Sequence, residues 1–200
     1  KTDVDIQVLA APGIRHASVT DFATQKIEDR FDAIYLMDVE ERDQLNTVIT
    51  SSVQKPHVLN TVTSFKGRAL DSSFAAAYFP DVILNDPDTN TLVQVPPSVA
   101  VLGAYSLNDR VAHPWFAPAG FARGALNAVE MASVRLNRTN LDDLYEADIN
   151  PITAFPGTGV TIWGQKTLQA ANSALDRINV RRLLIDVRRK VKNVANSLLF

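Results

Sequence analysis

Two hundred residues, 46% of them hydrophobic and 21% charged, supply enough apolar material for a packed core and exclude a disordered chain. Cysteine is absent, which excludes disulfide frameworks, thiolate metal sites and cysteine nucleophiles. The net charge is only -2, and no apolar run approaches the ~18 residues of a membrane span, so a membrane is not among the expected partners.

The first 95 residues alternate short apolar runs with helix-length amphipathic stretches, the pattern of an α/β unit with largely parallel strands. Residues 6–11 read as a strand closed by Pro12-Gly13, residues 16–30 as a helix, and residues 33–37 as a fully buried strand. A helix is expected over 40–55, a short extended piece over 58–62 and a helix over 69–78. A strand over 82–84 then precedes the turn-forming Asn85-Asp86-Pro87-Asp88.

From Thr91 onward, Pro96, Pro97, Pro114, Pro118, Gly120 and Gly124 predict loops and short helices. Pro97 fits the first turn of a helix through Val99, Ala100, Leu102, Gly103 and Tyr105, because a first-turn N–H has no intrahelical acceptor. Residues 150–168 read as extended and the last 20 residues as helix. The expected fold is therefore α/β: a central mixed sheet flanked by helices, with a long amphipathic C-terminal helix. We take 1–200 as one domain with an α/β half, 1–95, and a second half, 96–200. The ends, Lys1 and the uncapped Leu198-Leu199-Phe200, read as those of a piece cut from a longer polypeptide or trimmed by a few residues.

At 100° per residue, Leu184, Val187, Val191, Val194 and Leu198 fall within about 80° of one another, while Arg181, Arg188 and Lys192 fall within about 40° on another face. The first set is expected to be buried and the second to form a basic stripe. Between Arg177 and Lys192, seven cations against Asp186 give a local charge of +6, leaving -8 for the rest of a chain whose total is -2. That asymmetry predicts either a contact with something negative or a solvated helix face.

Catalytic patterns are sparse. His16, His57 and His113 stand in no metal-ligand spacing, and no Gly-x-Ser-x-Gly elbow exists. Gly157-Thr158-Gly159 starts like a dinucleotide loop, but the next glycine is Gly164 and the intervening residues are strand-like. Asp86, Asp88 and Asn90 imitate half a calcium loop, yet Thr91 replaces its glycine and Pro97 its glutamate, so a turn is expected. Trp115, Phe116, Phe121, Phe155 and Trp163 read as core packing rather than as a stacking platform. No catalytic residue, cofactor or metal is expected.

The second half carries a series of blocks: Val95-Pro96-Pro97-Ser98, then residues 101–105, Asp109 and Trp115-Phe116-Ala117-Pro118-Ala119-Gly120. Asn150-Pro151-Ile152, Gly157 with Gly159, residues 162–168 and residues 176–183 follow. In this order they resemble the consecutive signatures of contractile-tail sheath proteins of the myophage type. Gln165-Lys166 stand where that family more often has Ala-Arg, and Val99 where it has Gly. Residues 6–14 and 31–39 are similar to strands of the same core.

The resemblance implies the conserved core domain of a non-enzymatic virion subunit, assembled in the host cytoplasm. Such subunits stack as six-fold rings around a tail tube and contract to drive it through the host envelope. The implied partners are further copies of the chain, the tail tube protein, the baseplate and the tail terminator. The family also links neighbours by arms that add strands to another subunit's sheet, which implies an unpaired sheet edge in the isolated chain. Within this frame Arg181, Arg188, Arg189 and Lys192 are the expected tube-facing residues. The alternative is a nucleic-acid-binding module using the basic helix. The acidic remainder argues against it, and nucleic acid is not an expected partner.

Overall fold

The computed structural model describes residues 6–51 and 53–199; the expectations attached to Lys1 and Phe200 lie outside them. The strands are β1 (Val8–Ala10), β2 (Ile34–Asp38), β3 (Ala75–Phe79), β4 (Val82–Asp86), β5 (Thr91–Val95), β6 (Val129–Ala132), β7 (Ile149–Phe155) and β8 (Gly159–Ile162). The helices are α1 (Ala17–Arg30), α2 (Val58–Lys66), α3 (Pro97–Val111), α4 (Gly120–Arg123), α5 (Arg138–Glu146) and α6 (Ile178–Leu199).

The main sheet runs β1-β2-β3-β7-β8, parallel except for the β7–β8 hairpin. Crossovers that step the same way along a parallel sheet place their helices on one face. Accordingly Ile27 of α1, Val62 and Phe65 of α2 and Leu144 of α5 share a cluster with Tyr35, Met37, Ala75 and Ala77. The alternate residues Ile34, Leu36, Ala76 and Tyr78 face the other way, onto Val101 and Tyr105 of α3 and Ile178 and Ile185 of α6. The mixed sheet flanked by helices is thus present, as is the C-terminal helix.

A second sheet of three antiparallel strands, β5-β4-β6, is inserted between β3 and β7. Its β4–β5 turn is the one expected from the acids. The Asp86 carboxylate accepts from the Asp88 N–H at 3.1 Å and the Thr89 hydroxyl at 2.7 Å, and Asn90 takes a φ of 50°. Gly157 and Gly159, at φ of 82° and 73°, turn the β7–β8 hairpin.

Four local expectations are corrected. The described part of 40–55 is irregular rather than helical, because Asp43 bonds its own backbone neighbourhood, accepting from the N–H groups of Leu45 and Thr47 at 2.9 and 2.8 Å. Residues 58–62 open α2 instead of forming an extended piece. His57 supplies the cap, its Nδ1 accepting from the Asn60 N–H at 3.3 Å, and Val58, Thr61, Val62 and Phe65 form the buried face. Residues 69–78 are not a helix but lead into β3. There Ala75 and Ala77 lie beside the bulky Tyr35 and Met37 of β2, so a run of helix formers becomes the small half of a large-small pairing. Residues 91–95, expected as loop, are β5.

Two of the sequence blocks acquire a structural reason at β7. Asn150, 1% exposed, donates to the carbonyls of Ala77 and Lys166 at 3.0 and 2.8 Å, pinning β7 to β3 and to the returning chain. A Cβ at Gly164 would stand 2.8 Å from the Asn150 side-chain oxygen, so only glycine lets the chain pass there.

Candidate assembly surface on the C-terminal helix

Helix α6 presents its first half to the domain and its second half to solvent. Ile178 and Ile185 are buried on α3, and between them Arg181 and Arg182 are 5% and 2% exposed. The Arg181 guanidinium lies 3.9 Å from the centre of the Phe74 ring and donates to the Ser73 hydroxyl; burial lowers its pKa from the ordinary arginine value. Arg182 donates to Asp109 at 2.5 Å and lies 4.7 Å over Tyr105, whose hydroxyl is 2.8 Å from that of Tyr78. Burial pushes the Tyr105 phenol up to about 12 and Tyr78 well above its ordinary value, so this network stays protonated.

One turn on, the buried Asp186 gathers Arg189 at 3.1 Å and Lys190 at 2.7 Å. With its amide oxygen turned toward Arg189, Gln7 accepts a further bond at 2.7 Å. Arg188 is exposed and lies 4.8 Å over the Phe31 ring, while Lys192 is exposed. Much of the basic run therefore holds the helix to its own domain through rings and carboxylates, since a long arginine stem covers apolar surface while its head finds a partner.

Two expectations change. Arg181 does not share an exposed stripe with Arg188 and Lys192; it belongs to the interior. The stripe expected to be buried is exposed: Leu184 and Val187 at 45%, Val191 at 61%, Val194 at 59% and Leu198 at 81%. Helical periodicity gives relative angles only, and every described residue from Val191 to Leu198 is exposed.

Further apolar surface lies elsewhere. Phe121, Phe155 and Trp163, expected in the core, form a cluster with ring centres 4.6 to 5.2 Å apart, and Phe121 and Trp163 are 51% and 41% exposed. Leu92 and Val93 of the outer strand β5 are 61% and 42% exposed. The carboxyl end of β2 holds a polar cluster that the sequence reading missed. Asp38, 1% exposed at the end of β2, accepts from the N–H groups of Gly13 and Ser98 at 2.9 and 2.8 Å and from the Ser98 hydroxyl at 2.8 Å. Burial raises its pKa in spite of these donors. Its signal was a carboxylate closing a wholly apolar strand.

Among the described residues no helix is long and apolar enough to cross a membrane, and no group of three His, Cys, Asp or Glu could hold a metal. A two-sheet α/β unit with its apolar and aromatic side chains displayed on several outer faces defines a domain built around contact surfaces. The model of the phage tail sheath protein central domain matches residues 2–168, and the chain belongs to that family.

The chain is 41% identical to the tail sheath protein of Vibrio phage KVP40 over 113 residues, covering 56% of this chain and 16% of that protein. It is 37% identical to the tail sheath protein of Enterobacteria phage T4 over 89 residues, or 44% of this chain and 14% of that one. The helical sheath of the anti-feeding prophage in its contracted state superposes with a TM-score of 0.70 at 25% identity, over 98% of this chain and 48% of that chain. The matched part is therefore under one fifth of the curated relatives' length and about half of the solved sheath chain.

Proposed function

We propose that this chain is the core of a structural, non-enzymatic subunit of a contractile tail sheath. The subunit polymerises as stacked hexameric rings around a tail tube and contracts to drive the tube through a host envelope. The single observation carrying this reading is the family match over residues 2–168. In this reading 1–200 act as one domain of a virion component assembled in the host cytoplasm, meeting further copies, tube, baseplate and tail terminator.

Contraction of such a particle exchanges one set of contacts for a larger one while each subunit moves largely as a rigid body. At roughly 25 cal/mol per Å², a few hundred Å² of extra burial per subunit supplies several kcal/mol, an upper bound before ordering and desolvation costs. Exposed apolar side chains on β5, α6 and the Phe121 cluster are consistent with such contacts. Helix α6 is amphipathic in this reading, and Arg188, Arg189 and Lys192 face the tube. Arg181 is left out because it is buried within the domain. The outer edge of β5 suits a neighbour's strand, whereas β8 already meets the 124–126 segment, with the Leu126 N–H donating to Val160 at 2.9 Å. The nucleic-acid alternative loses support, since two of the seven cations it needs, Arg181 and Arg182, are buried.

Electron microscopy of the full-length protein tests the class: helical tubes or stacked hexameric rings are expected, and a protein that remains monomeric under all assembly conditions rejects it. For the tube contact, Arg188→Glu combined with Lys192→Glu should leave the fold intact and reduce sheath polymerisation on purified tubes, most strongly at low salt. Undiminished assembly at low salt rejects this orientation of α6.

A further inference from the structure

Where the two sheets meet, two buried carboxylates share one cation. Glu41, 4% exposed, follows β2; Asp81, 7% exposed, stands between β3 and β4; Arg15 reaches in from the β1–α1 connection. The Arg15 guanidinium lies 3.5 Å from Glu41 and pairs directly with Asp81. The Asp81 N–H points at the Glu41 carboxylate at 3.4 Å, and Gln94 of β5 donates to Asp81 at 2.9 Å. Backbone bonds extend the joint. Ile49 donates to the Glu41 carbonyl at 3.0 Å and Ser133, just after β6, to the Asp81 carbonyl at 2.8 Å.

We propose that Arg15, Glu41 and Asp81 form a proton-operated latch that seats the second sheet and the segment around residues 41–51 against the carboxyl ends of the main sheet. The charge count supplies the reason. With both carboxylates ionised the joint holds one uncompensated negative charge away from water, and a single proton removes it. No other charged group relieves it among the described residues. Glu40 and Arg42 pair with each other at 3.2 Å, the adjoining Ile49, Thr50, Ser51 and Pro96 are uncharged, and Asp38, bonded to Gly13 and Ser98, draws on the same Arg15 charge and so adds to the negative excess.

Burial first, and then the neighbouring Asp81, push the Glu41 carboxyl from 4.5 up to about 7, with Arg15 opposing. A carboxyl raised in the folded state stabilises that state fully below its unfolded value, near 4.5, and the contribution disappears as pH rises through about 7. Above that pH the ionised Glu41 needs water, and a depression of about 340 Å³ lined by Arg15, Glu41, Asp81, Gln94 and the 49–51 segment is its route in. Water entering there separates Gln94 and the 49–51 segment from the strand ends.

Hydrogen exchange of the purified chain at pH 5.5 and pH 8.5, corrected for the intrinsic pH dependence of exchange, tests the latch. Amides of β5 and of residues 41–51 should be roughly tenfold better protected at the lower pH, with α1 and α2 unchanged. Glu41→Gln, which is neutral at every pH, should give the protected pattern at both. Equal protection of the wild type at the two pH values overturns the proposal, as does a pH dependence that survives in Glu41→Gln. Should that variant not fold, the wild-type comparison decides alone.

Discussion

Replacing Asp38 by alanine is expected to lower the melting temperature by about 10 °C, equivalent to about 3 kcal/mol for a chain of this size. The carboxylate accepts from the Gly13 and Ser98 N–H groups and from the Ser98 hydroxyl, and Ser98 itself is 0% exposed. Truncation leaves the two Ser98 donors buried without partners, at about 1–3 kcal/mol each, whereas the exposed Gly13 can turn its N–H to water; relief of the buried charge offsets part of the cost. Asp38→Asn should fall in between, because one amide oxygen can still accept while the amide nitrogen faces an N–H. Thermal or urea unfolding checks the order wild type, Asn, Ala; an alanine variant as stable as the wild type would show that the strand end rehydrates freely.

Arg182→Ala is expected to cost a similar amount, about 3 kcal/mol, and to act locally. The guanidinium joins α6 to α3 through Asp109 and the Tyr105 ring, and its loss leaves a void beside the Tyr105–Tyr78 pair. Asp109 is about one third exposed, so water recovers part of the lost pairing and the figure stays at the lower end for a broken ion pair. Arg188→Ala should change stability by less than about 1 kcal/mol, because that side chain is exposed and covers only Phe31. Exchange protection of α6 amides separates the two: strongly reduced in Arg182→Ala, near wild type in Arg188→Ala. Equal effects would mean that the buried pairing does not hold the helix.

Arg181 shows why the basic stripe was only partly legible, and the adjacent Arg182 shares the reason. Charge density and spacing locate Arg181 and Arg182 on a helix, but whether an arginine points at water or lies on a ring depends on Phe74 and Tyr105, more than 70 residues earlier in the chain. A strand such as β2 was legible because its apolar residues are consecutive and end at a charge. The β3 alanines were not, since Ala prefers a helix in isolation and becomes strand only beside Tyr35 and Met37. Residues 58–65 carried a helical spacing of apolar positions, but the cap that starts the helix is the imidazole of His57, an uncommon choice for that position.

By itself the amino-acid sequence determined the α/β class, the positions of β1, α1, β2, α3 and α6, the acidic turn after β4, and the ordered blocks that carry the family. All of these rest on local preference or on short-range pattern. Tertiary structure alone decided that residues 91–95 pair with β4, that the Leu184–Leu198 line of α6 is exposed while Arg181 is enclosed, and that Asp38, Glu41, Asp81 and Arg15 converge at the strand ends. Each of those outcomes is set by contacts between residues far apart in the chain, whose burial no local propensity encodes.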